Sequence, residues 1–128
     1  MRKRWLTLLS VAIVAMLVLA ACGSGDDDDD DAAADLSGTP VSMKDSMKFE
    51  PDTITVKAGS EVEIALSNDG AIKHNFSIDD ADVDEDLDGG KSKSISFTAP
   101  DSPGEYKIHC AIPGHESAGM VATLIVEE

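Results

Sequence analysis

The chain has 128 residues and a formal net charge of −15 at pH 7, with 25 acidic and 10 basic side chains. Binding to nucleic acid requires a basic surface, so this composition excludes nucleic acid as a partner. An acidic chain meets positively charged partners fastest, although the same acidity equally suits solubility or a saline habitat.

The first 21 residues have the pattern of a secretion signal. Three basic residues at positions 2–4 precede an apolar run over residues 6–19. Leu-Ala-Ala-Cys at 19–22 then resembles the lipobox of prokaryotic lipoproteins, in which the Cys is lipidated and becomes the new N-terminus. We therefore predict removal of residues 1–21 and an anchor at Cys22, on the outer face of a prokaryotic plasma membrane. The alternative is an uncleaved membrane helix, for which the run falls short of about 20 apolar residues.

Residues 22–38 are predicted to form a flexible tether after the lipidated cysteine. Residues 26–31 are six consecutive Asp, and their mutual repulsion favours an extended, solvated segment. No Gly-spaced ligand pattern accompanies the run, so a calcium site is the weaker interpretation. Removing residues 1–21 would also take away three positive charges and change the net charge from −15 to −18.

The remaining residues, 39–128, are enough for one small hydrophobic core. Apolar and polar residues alternate with period two over short segments that Gly, Pro, Asn and Asp separate, which is typical of half-buried strands. The predicted strands are residues 54–56, 62–66, 74–78, 94–98, 106–110 and 121–126. No segment has a convincing helical stripe, so we predict an all-β fold, an antiparallel two-sheet Greek-key sandwich.

One long polar segment interrupts this strand pattern. Residues 79–90 contain six Asp and one Glu and end in two Gly. We expect a mobile loop here. A sandwich of this kind hosts many functions, so function must be argued from a site.

The residues able to carry chemistry are concentrated at 110–120. This segment presents a thiol, an imidazole and a thioether at five-residue intervals, and another imidazole begins a predicted strand upstream. One Cys, two His and a Met form the ligand set of a blue-copper site, with His₂Cys in a plane and a weak axial Met. The candidate metal ligands are His74, Cys110, His115 and Met120.

Cysteine usage agrees with a metal site. If Cys22 carries lipid, Cys110 is an odd thiol in an exported protein. A free cysteine can be a small buried hydrophobic residue. Outside the cytoplasm, however, an unprotected thiol tends to be oxidised, and metal coordination would protect it.

Cys-x₄-His-x₄-Met with an upstream His-Asn pair resembles the cupredoxins, or blue copper proteins, with the loop spacing of the rusticyanin and auracyanin type. The resemblance covers residues 39–128 and implies one type 1 copper ion per chain. The ligands that it implies are His74, Cys110, His115 and Met120. It also implies that Asn75, which follows the first His, ties the two ligand segments together by hydrogen bonds.

Two features argue against an enzyme. A copper site with four filled positions leaves no open position for a substrate. The chain has three His and no His-x-His pair that would build a catalytic copper cluster. The third, His109, precedes Cys110, and strand alternation points it to the opposite face. We interpret His109 as a structural or surface residue.

These observations predict a monomeric one-electron carrier that exchanges electrons mainly through the edge of His115. Its expected partner is a redox protein with a basic docking face, and the family resemblance suggests a cytochrome or a terminal oxidase or reductase. Two alternatives stay open. The first is an extracytoplasmic copper-binding or copper-delivery protein without a redox role, and the second is a structural sandwich without metal.

Overall fold

A computed structural model describes residues 36–128 of the chain. The predicted signal segment, the lipidated Cys22 and the tether up to residue 35 lie outside the described residues. Over 36–128 the chain forms nine strands and a 3₁₀ turn at Asp79–Ala81. The strands are β1 (Thr39–Lys44), β2 (Lys48–Glu50), β3 (Thr53–Lys57), β4 (Glu61–Asn68), β5 (His74–Ile78), β6 (Val83–Leu87), β7 (Ser92–Thr98), β8 (Gly104–His109) and β9 (Val121–Glu127). None of the helical structure in 36–128 is long and apolar enough to span a membrane.

The strands form two sheets, which confirms the all-β two-sheet prediction. One sheet has the order β2-β1-β4-β7 and the other β3-β9-β8-β5-β6. Most neighbours are antiparallel, but β1 pairs parallel to β4 and β3 pairs parallel to β9. Both sheets are therefore mixed instead of purely antiparallel. Residue alternation determines which side chains face the core, whereas strand direction depends on how the connections cross between sheets.

The core lies between the two sheets, where apolar side chains at alternate strand positions meet. In β4 the fully buried positions include Ile64 and Leu66, and every residue of β5 is buried. Phe49 of β2 and Phe76 of β5 join the two sheets through an edge-to-face contact with ring centroids 5.7 Å apart. Strand β5, which begins at the candidate ligand His74, therefore lies inside the core.

The prediction of a mobile loop over residues 79–90 is wrong. The segment contains the 3₁₀ turn and strand β6, which pairs antiparallel with β5 along its whole length. Val83 and Leu87 of β6 are buried, but the residue midway between them is Glu85. A charged residue at an inward position hides the alternation, so the pattern resembles a polar loop. Strands β1 and β2, in residues 39–50, were also missed by the sequence prediction.

Three strand ends meet at one end of the second sheet. Strand β8 runs antiparallel to both β5 and β9. The start of β5, the end of β8 and the start of β9 therefore lie side by side at the same end of the sheet. His74 opens β5, Cys110 directly follows β8, and Met120 directly precedes β9. Sheet topology therefore gathers side chains that are far apart in the sequence.

Candidate metal centre

Three of the four candidate ligands come together at this end of the sheet. One donor atom from each of His74, Cys110 and His115 lies within 4.8 Å of the other two. Sγ of Cys110 is 3.4 Å from Nδ1 of His115, and the two imidazole rings have centroids 5.2 Å apart. His74 and Cys110 are fully buried, whereas His115 is half-buried. A thiol and two imidazoles thus share one small region.

The backbone of the 110–120 segment brings Met120 back to the same place. The amide of Cys110 donates to the carbonyl of Met120 at 3.2 Å, and the amide of Met120 donates to the carbonyl of His115 at 3.1 Å. Gly114 and Gly119 have φ of +86° and +104°, which favour glycine because it lacks Cβ. The Met120 side chain is fully buried. The segment is therefore a closed loop with Cys110 and Met120 side by side at its base.

The sulfur of Cys110 and its loop are tied to β5 through Asn75. The Asn75 amide N–H donates to Sγ of Cys110 at 3.3 Å. Its side-chain Oδ1 accepts the amide N–H of Ala111 at 3.1 Å and the hydroxyl of Ser77 at 2.6 Å. The predicted tie between the two ligand segments is therefore confirmed.

Two acidic residues of β6 orient the amide of Asn75, and sequence reasoning missed both. Nδ2 of Asn75 donates to Oδ1 of Asp84 at 2.7 Å and to Oδ1 of Asp86 at 2.8 Å. The hydrogen bond from Asn75 is the main cause that lowers the pKa of Asp84 below its usual range, and a hydrogen bond from Ser77 lowers it further. Both carboxylates belong to residues 79–90, and a loop prediction there gives Asn75 no neighbouring strand to supply a partner.

His74 has one occupied and one free ring nitrogen. Nε2 lies 3.1 Å from Oδ1 of Asp45, whereas Nδ1 is buried and has no hydrogen-bond partner within the described residues. Buried polar atoms in proteins almost always have a partner. A metal ion bound beside the Cys110 sulfur would supply the partner for this nitrogen. The donor set and the unpartnered nitrogen both fit a soft transition-metal ion.

Asp45 is a third residue near the site that the sequence does not predict. It lies in the turn between β1 and β2, 29 positions before His74. The amide N–H of Ala71 is the main cause that lowers the pKa of Asp45, and the N–H of Ile72 and the imidazole of His74 lower it further. An isolated Asp in a turn carries no sequence signal of a contact so far along the chain.

The family model of the cupredoxin-like domain matches residues 9–126. The chain belongs to the cupredoxin-like family. It is 31% identical over 105 residues to the copper-resistant cuproprotein CopI of Rubrivivax gelatinosus, an alignment that covers 67% of this chain and 64% of that protein. It is 35% identical over 91 residues to the chloroplastic plastocyanin of Tetradesmus obliquus, covering 64% of this chain and 60% of that one. This cupredoxin thus spans less than two thirds of either relative.

Solved auracyanin structures share the fold of this cupredoxin. The dithionite-reduced auracyanin of Roseiflexus castenholzii matches with a TM-score of 0.63 at 22% identity, covering 73% of this chain and 99% of that one. Auracyanin A of Chloroflexus aurantiacus, a blue copper protein, matches with a TM-score of 0.56 at 22% identity, covering 69% and 99%. Family membership and the His-Cys-His group followed by Met together fit a single type 1 copper ion.

The loop around His115 exposes small and apolar residues beside the polar Glu116 and Ser117. Pro113, Gly114 and Ala118 are exposed, and Val121 at the start of β9 is 42% exposed. Glu116 on the same loop forms an ion pair with Lys107 of β8 at 2.6 Å. The hydrogen bond from Lys107 lowers the pKa of Glu116. The ion pair links the loop to the strand that leads into it.

His109 lies outside the donor group. His109 is only 7% exposed. The interpretation of His109 as a surface residue is therefore wrong, and its interpretation as a structural residue remains. Nε2 is 3.9 Å from Oδ1 of Asp79, and Nδ1 is buried without a partner within residues 36–128. In the second sheet His109 pairs with Ser77 across β5 and β8.

Proposed function

We propose that this cupredoxin is a one-electron carrier whose copper ion is held by His74, Cys110, His115 and Met120. The observation that carries the proposal is the buried convergence of one thiol and two imidazoles, one of which has a nitrogen without a partner among residues 36–128. Thiolate and thioether suit Cu(I) and imidazole suits Cu(II), so a copper ion held by these residues would gain or lose one electron with little rearrangement.

The chain supports this role by holding the donors in place before any metal binds. Hydrogen bonds to the Cys110 sulfur and the His74 ring come from β5 and from the β1–β2 turn, both parts of the sandwich. Rigid donors change position little between oxidation states. Four donors also fill the usual positions around the ion and leave none for a substrate, which supports a carrier instead of an enzyme.

His115 is the proposed route for the electron. It is the half-buried member of the donor group, whereas His74 and Cys110 are fully buried, so it offers the shortest way to the surface. The apolar surface around it, with Pro113, Ala118 and Val121, lets a partner approach closely without displacing tightly bound water. Small contacts of this kind suit the brief docking of redox partners.

Membrane anchoring and the partner are further parts of the proposal. The pattern at residues 1–22 supports a lipid anchor at Cys22 and a position on the outer face of a prokaryotic plasma membrane. Residues 36–128 contain 18 acidic residues and seven Lys, a net charge of −11. This negative charge supports a redox partner with a basic docking face, such as a cytochrome or a terminal oxidase or reductase. The carrier itself is proposed to be a monomer.

Absorption and EPR spectra of the copper-loaded protein test the carrier. We expect an intense thiolate-to-copper band and reversible voltammetry from the wild-type protein, because Cys110 supplies the sulfur. Cys110→Ser should lose the band. His109→Gln is the matched control, since it removes a neighbouring imidazole outside the donor group and should keep the band. A wild-type protein without the band, or a Cys110→Ser variant that keeps it, would contradict the proposal.

The second candidate function is copper binding or delivery without a redox role. The similarity to a copper-resistant cuproprotein favours it. A delivery protein would bind Cu(I) in a colourless form, show no reversible voltammetry and transfer its copper to an acceptor protein. A carrier would retain copper through many cycles of oxidation and reduction. Voltammetry and copper-transfer measurements on the same protein sample therefore distinguish a delivery protein from a carrier.

A further inference from the structure

One acidic side chain outside the donor group contacts the buried His74 ring. Asp45, in the turn after β1, places Oδ1 at 3.1 Å from Nε2 of His74. The same carboxylate accepts the amide N–H of Ala71 at 2.8 Å and that of Ile72 at 3.4 Å. Two backbone donors and one imidazole therefore meet on a single side chain from a different part of the sandwich.

The chemistry of this contact determines which nitrogen of His74 carries the proton. An ionised carboxylate only accepts hydrogen bonds, and a neutral imidazole has one donor and one acceptor nitrogen. Nε2 must therefore carry the hydrogen that it donates to Asp45. Nδ1, which is buried and has no partner in the described part of the chain, is then left with the lone pair that a metal ion requires.

The neighbouring loop is shaped to admit this carboxylate. A Cβ at Gly70 would overlap Oδ1 and Cγ of Asp45, so any other residue at 70 would displace the carboxylate. The loop itself is held by the buried Asn68, whose Oδ1 accepts the Gly70 amide at 3.0 Å and whose Nδ2 donates to the carbonyl of Ile72 at 2.8 Å. The position of Asp45 is thus supported independently of its contact with His74.

We propose that Asp45 is a positioning residue that holds His74 in the Nε2–H form, offering Nδ1 to the metal, and that its negative charge favours Cu(II) over Cu(I). The proposal rests on the ligand role proposed for His74. A purely structural Asp45, acting only as an acceptor for Ala71 and Ile72, would stabilise the loop and leave the tautomer unchanged.

The tautomer is tested on the metal-free protein, independently of copper. We expect ¹⁵N–¹H correlation spectra at pH 8 to show His74 of the wild type protonated at Nε2. Asp45→Ala should shift it to a mixture of both tautomers. Gly70→Ala should do the same while keeping the carboxylate in the chain. Asp69→Ala is the control, because the Asp69 carboxylate accepts a hydrogen bond from Nζ of Lys44 at 2.7 Å and does not contact His74.

Copper affinity supplies the second readout. In competition titrations we expect Asp45→Ala and Gly70→Ala to bind Cu(II) about tenfold more weakly, the loss typical when a partner of a ligating His is removed. Their Cu(I) affinity should fall by a smaller factor, because the negative carboxylate stabilises the doubly charged Cu(II) more than the singly charged Cu(I). Asp69→Ala should stay within about twofold of the wild type.

Each result separates this inference from the carrier proposal. Wild-type His74 protonated at Nδ1, an unchanged tautomer in folded Asp45→Ala, or equal losses for both copper states would overturn the role of Asp45. A wild-type protein without the blue band would instead overturn the carrier, whatever the tautomer. If Asp45→Ala does not fold, Gly70→Ala decides, because its carboxylate is displaced and not removed.

Discussion

Asn75 is the residue on which the geometry of the metal centre depends most visibly. Its Oδ1 accepts from Ala111 and Ser77, and its Nδ2 donates to Asp84 and Asp86. All four hydrogen-bonding positions of the amide are used, so its orientation is unambiguous. The backbone N–H of the same residue contacts the Cys110 sulfur. One buried residue therefore joins β5, β6 and the ligand loop.

Replacing Asn75 tests this junction. Asn75→Ala should lower the free energy of unfolding by about 1–3 kcal/mol, because the Ser77 hydroxyl and the Ala111 amide lose an acceptor and the Asp84 and Asp86 carboxylates lose a donor. Urea denaturation of the metal-free protein measures the change. Ser77→Ala is the control, since it removes a single hydroxyl and should cost less. Equal losses in the two variants would contradict a central role for the amide.

Asp84 should make stability depend on pH in the acidic range. Hydrogen bonds from Asn75 and Ser77 lower its pKa in the folded state, so the folded protein binds this proton less readily than the unfolded chain. The resulting stabilisation is present above the ordinary carboxyl pKa of about 3.9. It is lost as pH falls from there through the lowered pKa of the folded state.

Urea midpoints measured between pH 6 and pH 2.5 check this dependence. The midpoint of the wild type should fall more steeply below about pH 4 than that of Asp84→Asn, which has no proton to bind at this position. Asp80→Asn, an exposed change on the preceding turn, should follow the wild type. Parallel curves for the wild type and Asp84→Asn would refute the linkage.

At the scale of elements, β6 combines two roles that the sequence pattern conceals. It is an edge strand of the second sheet, and its exposed charges discourage pairing with another chain. Two of those charges, Asp84 and Asp86, also reach back to orient Asn75. An acidic edge strand is therefore part of the support of the metal centre.

Strand β9 lies between β3 and β8 and carries the ligand loop at its start. Leu124, at its centre, is fully buried, whereas Val121 at its start is 42% exposed. Leu124→Ala should lower the free energy of unfolding by about 2–5 kcal/mol because it leaves a cavity in the core. Val121→Ala, on the same strand, should change it by about 0.5 kcal/mol or less.

Thermal and urea unfolding of both β9 variants measure these effects. Both should keep the blue band when folded, since neither residue belongs to the donor group. A similar loss for Val121→Ala and Leu124→Ala would contradict the assignment of the core to the inner face of β9.

At the scale of the whole molecule, net charge should control how fast the proposed carrier meets its redox partners. The described domain has a net charge of −11, so its field attracts cations and repels anions at low salt. Electron transfer with a small cationic ruthenium complex should slow at least several-fold as salt rises from 0.01 M to 0.5 M. Transfer with anionic hexacyanoferrate should accelerate, because screening weakens the repulsion.

Stopped-flow rates for the two reagents, measured on one preparation, provide this test. The opposite sign of the two salt dependences is the expected outcome. The same sign for both would show that the field at the electron-exchange surface does not follow the net charge.

The sequence alone determined the family, the donor types and most strands. A Cys, His and Met at five-residue spacing and an upstream His-Asn pair identify the donors because metal chemistry depends on residue type. Apolar–polar alternation between turn residues identified β3, β4, β5, β7, β8 and β9. Strand β6 was not predicted because the charged Glu85 occupies its central inward position and hides the alternation.

Only the tertiary structure decided how distant parts of the chain support the donors. The contact of Asp45 with His74 spans 29 positions, and the contacts of Asn75 with Asp84 and Asp86 depend on the pairing of β5 with β6. The parallel pairings of β1 with β4 and β3 with β9 likewise depend on crossings between the sheets. Local patterns record which side of a strand is buried. Hydrogen bonds between a turn and a strand far along the chain depend on three-dimensional distance, which no local pattern records.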